Sequence, residues 1–130
     1  MIDHLSSYTT SFEASQRFYD ESFQALGYGR TASMVATWDQ EFPTRRMAAW
    51  GPPGRPVFWL IEVKAAATPR HTAFQAKSAA AVEAWFKAAL AAGGKDNGGP
   101  GPRPQYHPGY FGAFVIDPDG NNVEAVFHGA

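Results

Sequence analysis

HLSSYTTSFEASQRFYDESFQALG (residues 4–27) and HTAFQAKSAAAVEAWFKAALAAGG (residues 71–94) are the two stretches on which the fold turns. A shift of 67 positions carries His4 onto His71 and Gly27 onto Gly94. The same shift lays Phe18 on Trp85, Tyr19 on Phe86 and Phe23 on Leu90. Each stretch opens on a short strand-like piece, residues 2–9 in the first and 71–76 in the second. A helix follows in both. Thr10 and Glu13 offer a capping box before Phe12, Tyr19, Phe23 and Leu26 at helical spacing, and Gly27 supplies the stop. Ser78 is the matching N-cap ahead of Val82, Trp85, Phe86, Ala89 and Leu90, with Gly93-Gly94 ending the stripe.

Three strand-like segments follow the first helix, at residues 30–37, 46–50 and 57–63, with the turn PPGRP (52–56) between the last two. After the second helix comes GGKDNGGPGPRPQYHPGYFG (93–112), in which eleven of twenty residues are Gly or Pro. Strands at 110–116 and 122–127 then flank the turn Asp-Pro-Asp-Gly (117–120). Such a Gly/Pro run is usually a linker by composition, but its interleaved Tyr106, His107, Tyr110 and Phe111 predict a shaped loop at a pocket edge. The pattern predicts an α+β fold of two tandem β-α-β-β-β modules, at about 1–66 and 67–130. Each half is too small to bury its own sheet, so residues 1–130 are expected to form one domain.

The chain has 130 residues, eleven Lys+Arg against twelve Asp+Glu, and a net charge of −1. No basic stripe speaks for nucleic acid and no apolar stretch is long enough for a bilayer span. The start MIDH lacks the basic and apolar regions of a secretory signal, so a cytoplasmic protein is expected. Cysteine is absent, which removes thiol catalysis and thiolate metal sites. Any metal must use His, Asp or Glu.

Strand parity decides which of those groups share a face. His4 falls with Ile2, Ser6 and Tyr8, and His71 with Ala73 and Gln75. Glu124, on the eighth strand of the two-module count, falls with Asn122 and His128. Two imidazoles and one carboxylate suit Zn, Ni, Mn or Fe(II) and leave coordination positions open. Taken singly, each is also an ordinary strand or surface residue.

The segments IDHLS, SQRFYDESFQALGY, RHTAFQA and DPDGNNVEAVFH resemble the vicinal oxygen chelate superfamily. That superfamily includes glyoxalase I, bleomycin- and fosfomycin-resistance proteins and extradiol dioxygenases. The final hairpin carries the resemblance most specifically, and it is similar to a glyoxalase-related branch of unassigned substrate. The resemblance implies a curved mixed sheet, a half-barrel, with one helix per module packed outside. It implies His4, His71 and Glu124 as ligands of a divalent metal ion, chelating vicinal oxygens of a small substrate in lyase, dioxygenase or thiol-transferase chemistry. It also implies a homodimer. The fourth ligand of glyoxalase I falls at Trp59 here, and Glu62, three residues on, faces the opposite way in a regular strand. Tyr8, Trp38, Trp59, Tyr106 and Phe114 are the expected substrate walls. His107 is the candidate acid/base, and Tyr110 the candidate for orienting a substrate oxygen. The alternative is a metal-free small-molecule binder resembling bleomycin-resistance proteins.

Overall fold

Residues 2–129 are described by the computed structural model. The first half builds β1 (Leu5–Thr9), α1 (Phe12–Gln24), β2 (Gly29–Val35), β3 (Arg46–Gly51) and β4 (Phe58–Glu62). The second builds β5 (His71–Gln75), α2 (Ala79–Ala91), β6 (Lys95–Asp96), β7 (Gly101–Pro102), β8 (Phe111–Ile116) and β9 (Asn122–Phe127). Each half forms its own open mixed sheet, ordered β1-β4-β3-β2 and β5-β9-β8-β6, with β7 also paired to β8. The outer pair of each sheet, β1 with β4 and β5 with β9, is parallel. The repeat read in the sequence is thus a repeat of topology.

The Gly/Pro run is where the sequence is corrected. It holds the missing strand of the second module, broken into β6 and β7, which pair with opposite ends of β8. Proline supplies no donor and glycine no side chain, so neither signals a strand, yet an edge position tolerates both. The two glycines at equal offset also do different work. Gly27 adopts a left-handed φ of 80°, whereas in module 2 that conformation falls on Gly93, at 101°. Gly94 is required by crowding instead: a Cβ there would sit 2.4 Å from Val115 Cγ1 and 2.8 Å from Phe18 Cε1.

The helices cover one face of the sheets and share a core. Tyr19 and Phe23 of α1 pack against Trp50 and Phe58. Phe74 of β5 crosses the module boundary to reach Phe23 at 4.8 Å and Phe58 at 5.3 Å. Trp85, Val82 and Ala89 of α2 are fully buried with Val115 and Val123. Truncating one such aromatic costs about 3–5 kcal/mol, so neither module is expected to keep its structure without the other.

The α1 entry departs from expectation. Ser11, not Thr10, is the N-cap, and it makes no side-chain cap bond. A carboxylate from the other module serves instead. Asp119 accepts from Thr9 Oγ1 at 2.8 Å and Ser15 Oγ at 2.5 Å, beside the first turn of α1. Asp117 accepts from Tyr19 Oη at 2.6 Å and from Asn121 Nδ2 at 2.8 Å. The Asp-Pro-Asp-Gly hairpin therefore does more than turn the chain: it latches module 2 onto module 1.

The candidate site on the open face of module 2

The face of each sheet away from the helices carries the chemistry. In β4, Phe58 and Leu60 are buried beneath α1 while Trp59 and Ile61 alternate onto the open side. The β4 register is regular along both neighbours, so no bulge turns Glu62 toward Trp59. Glu62 instead accepts from Arg46 N at 2.9 Å, Nε at 3.1 Å and Nη2 at 2.8 Å. The Arg46 hydrogen bond holds its carboxyl below the usual range. Glu62 is an ion-pair partner of Arg46.

In module 2 the parallel register sets Ala73 opposite Glu124 and His71 opposite Asn122. His71 therefore reaches Glu124 diagonally, with Nε2 3.2 Å from Oε1. Glu124 is 2% exposed. Its Oε2 accepts a short hydrogen bond from Tyr110 Oη, which comes from the end of the Gly/Pro run. That donation and burial push the Tyr110 phenol up to about 12, burial being the larger cause. The imidazole is oriented by its Nδ1, which lies 3.0 Å from the carbonyl oxygen of Asn122. A carbonyl only accepts, so Nδ1 carries a hydrogen, and Nε2 faces Glu124 Oε1 as a donor when it is protonated and with a lone pair when it is not.

Around this pair, Phe114 stacks on His71 with centroids 6.3 Å apart. Tyr106 and His107 both pack edge-on against Tyr110, at 5.0 and 5.3 Å. His107 donates Nδ1–H to Pro108 O at 2.7 Å, and its Nε2 faces His128 Nδ1 at 2.9 Å. The structure thus brings His71, Glu124, Tyr106, His107, Tyr110 and Phe114 together. His128, which shares the face of Glu124 by strand parity, joins them through His107.

The remaining expected residues sit on module 1. His4 is exposed before β1, its Nδ1 2.7 Å from Asp3 Oδ1. Tyr8 is half-buried with the Arg70 guanidinium 4.8 Å above its ring. Trp59 is half-buried opposite Ala49. Trp38 lies between β2 and β3 and is 66% exposed. Among the described residues no set of three or more His, Asp or Glu side chains is gathered closely enough to hold a metal ion.

The Glyoxalase/Bleomycin resistance protein/Dioxygenase superfamily profile matches residues 1–125, and the chain belongs to that superfamily. Its fold is that of a glyoxalase/bleomycin resistance protein from Albidiferax ferrireducens T118, at 25% identity and a TM-score of 0.76, covering 98% of each chain. It is also similar to an E144Q mutant of glyoxalase I from Zea mays, at 21% identity and a TM-score of 0.70. There the match covers 96% of this chain and 46% of that one. A glyoxalase-related enzyme from Fulvimarina pelagi matches at 20% identity and a TM-score of 0.69, covering 98% of this chain and 87% of that one. No curated protein matches the chain by sequence. No helix among the described residues is long and apolar enough to cross a membrane.

Proposed function

We propose that the chain is a metal-dependent enzyme of the superfamily, in which His71 and Glu124 would hold a divalent ion, acting on a small molecule with vicinal oxygens. The observation that carries the reading is an imidazole and a buried carboxylate aimed at each other, Nε2 3.2 Å from Oε1, with His71 Nδ1 bonded to Asn122 O. The donor set, one imidazole and one carboxylate, is that of Zn, Ni, Mn or Fe(II). His4 would be the third ligand, supplied by a second copy of the chain, since one copy gathers no set of three such donors among the described residues. The ion when bound supplies Lewis-acid stabilisation to a substrate oxyanion.

The chain's own groups then have distinct tasks. Asn122 O and Tyr110 Oη fix the ring and the carboxylate from behind, as outer partners of ligands commonly do. Phe114 and Tyr106 give an apolar wall. His107 is the candidate acid/base, and its Nε2, bonded to His128 Nδ1, would exchange that partner for a substrate proton. Trp59 at the position of a fourth ligand argues for open coordination positions and against glyoxalase I chemistry itself.

The test is metal content of the purified protein by mass spectrometry. Wild type is expected to retain metal, and His4→Ala, His71→Ala and Glu124→Ala to lose it. Mixing His4→Ala with Glu124→Ala chains should restore part of the metal, because a mixed dimer keeps one intact site. Metal retained in both His71→Ala and Glu124→Ala overturns the proposal. A second reading has its own support: a proton on His71 Nε2 would leave both Glu124 oxygens satisfied without metal. Metal-free protein that binds a planar aromatic compound equally well after His4→Ala would establish that binder instead.

A further inference from the structure

Arg103 is the only Lys or Arg after Lys95. Arg17, Arg30, Arg45 and Arg46 all stand in ion pairs, but Arg103 pairs with no carboxylate among the described residues. It is nevertheless held in place. Its Nη1 donates to Gly101 O at 2.9 Å and its Nη2 to Gly99 O at 2.8 Å, with a longer contact from Nη1 to Pro102 O at 3.4 Å. Those bonds engage Nη1 and Nη2, while Nε–H and one Nη2 hydrogen meet no acceptor among the described residues.

The guanidinium carbon lies 5.6 Å from the Phe114 ring centroid, and His71 stacks on that same ring at 6.3 Å. Beside it opens a cavity of about 360 Å³ lined by Asn97, Gly98, Arg103, Tyr106, Phe114 and Asn122. The two amides are linked, Asn97 Nδ2 donating to Asn122 Oδ1 at 3.3 Å. Gly98 has a φ of 143°, and a Cβ there would meet Phe114 at 3.2 Å and Arg103 Nη2 at 3.4 Å, so glycine keeps this wall in shape. The nearest carboxylate on the same run, Asp96, accepts from Gly98 N at 2.9 Å.

We propose that this cavity binds the anionic end of the substrate, a carboxylate or a phosphoryl oxyanion, on the free edge of Arg103, with Tyr106 and Phe114 flanking its apolar body. This rests on the metal-site reading only for the other end of the molecule, which reaches His71 and Glu124. A guanidinium clamped by carbonyls loses little freedom on binding, and its planar fork matches an oxyanion in a bidentate way. An unpaired cation in a cleft also attracts anions before contact. The substrate class is therefore an anionic small molecule rather than a neutral or cationic one.

The test titrates benzoate, phenylphosphonate and neutral benzamide into metal-stripped protein, following backbone and Arg Nε resonances by NMR. One of the two anions is expected to shift Arg103 Nε and the Asn97 and Asn122 amides, with benzamide at least about tenfold weaker. The preferred anion identifies the oxyanion. Arg103→Gln should weaken it by a further tenfold or about that. Because that change also unfastens the loop, Asn97→Asp is the second variant: it keeps every Arg103–carbonyl bond, and its added charge should weaken the anion while leaving benzamide unchanged. Benzamide binding as tightly as both anions, or anion binding indifferent to both variants, overturns the proposal. The metal content of His71→Ala is measured alongside. Metal retained there and in Glu124→Ala alike sinks the metal reading, whereas anion binding by His71→Ala leaves the Arg103 site standing.

Discussion

Asp119→Ala tests how the two modules are joined. The change leaves the hairpin itself intact, because the turn uses the backbone N–H of residue 119, bonded to Asp117 Oδ1 at 2.9 Å. What is lost is the carboxylate that receives Thr9 Oγ1 and Ser15 Oγ from the other module. A hydrogen bond to a charged group contributes about 1.5–3 kcal/mol. Two corrections reduce the total. Thr9 and Ser15, though buried, retain each other at 3.1 Å. Burial raises the Asp119 carboxyl above its ordinary value, so the ionised form sits there at some cost. The net expectation is a loss of about 2 kcal/mol, or about 6–8 °C in Tm for a domain of this size. Urea denaturation followed by tryptophan fluorescence measures it, and a cycle with Ser15→Ala should give a coupling of about 1 kcal/mol or more. The pH dependence adds a sign. A carboxyl raised by folding binds its proton more tightly in the folded chain, so its contribution is fully present below the unfolded value of 3.8. It is lost as pH rises through the higher folded value. The stability gap between wild type and Asp119→Asn should therefore narrow as pH rises from that window toward neutrality. A loss under about 0.5 kcal/mol with no coupling to Ser15 would refute the latch.

Other outcomes follow from single side chains. Ser22 is fully buried and its hydroxyl has no partner among the described residues, so Ser22→Ala should stabilise the protein by about 0.5–1 kcal/mol in thermal unfolding; a loss would mean the hydroxyl is satisfied. Glu62→Gln should cost about 1 kcal/mol or less, since Arg46 is partly exposed, and should leave metal content untouched; metal loss would place Glu62 in the site. Because the Arg46 hydrogen bond lowers the Glu62 carboxyl, that small contribution is present above 4.5 and disappears as pH falls through the folded value. Tyr110→Phe should remove the phenol that titrates near 12 from an ultraviolet titration, while buried Tyr19, held higher still by desolvation and Asp117, is unaffected. The wild-type phenol, raised from 10.0 to about 12, contributes stability that is present below 10.0 and lost as pH climbs through about 12. An unchanged titration in Tyr110→Phe would show that Glu124 is held by something else.

The sequence carried the fold because its repeat is written in large apolar side chains. Phe18, Tyr19 and Phe23 against Trp85, Phe86 and Leu90 specify two helices over two sheets, and the parity of His71 and Glu124 specifies their shared face. It failed where the signal is backbone geometry. β6 and β7 are built from Lys95-Asp96 and Gly101-Pro102, two-residue pieces whose pairing depends on β8 and on carbonyls held by Arg103, none of which leaves a periodic trace. The hairpin aspartates misled for a related reason. Asp and Asn are so well explained by a turn that their second contacts, across 110 positions to Thr9 and 98 to Tyr19, are invisible locally. The same reasoning explains why the set His4, His71 and Glu124 was legible as chemistry but not as a place. Parity puts each residue on the open face of its own sheet. It says nothing of which sheets meet, and in one copy the His4 sheet and the His71 sheet share a core on their covered faces. Under the proposed dimer, it is the second copy that would decide whether the three donors become one site.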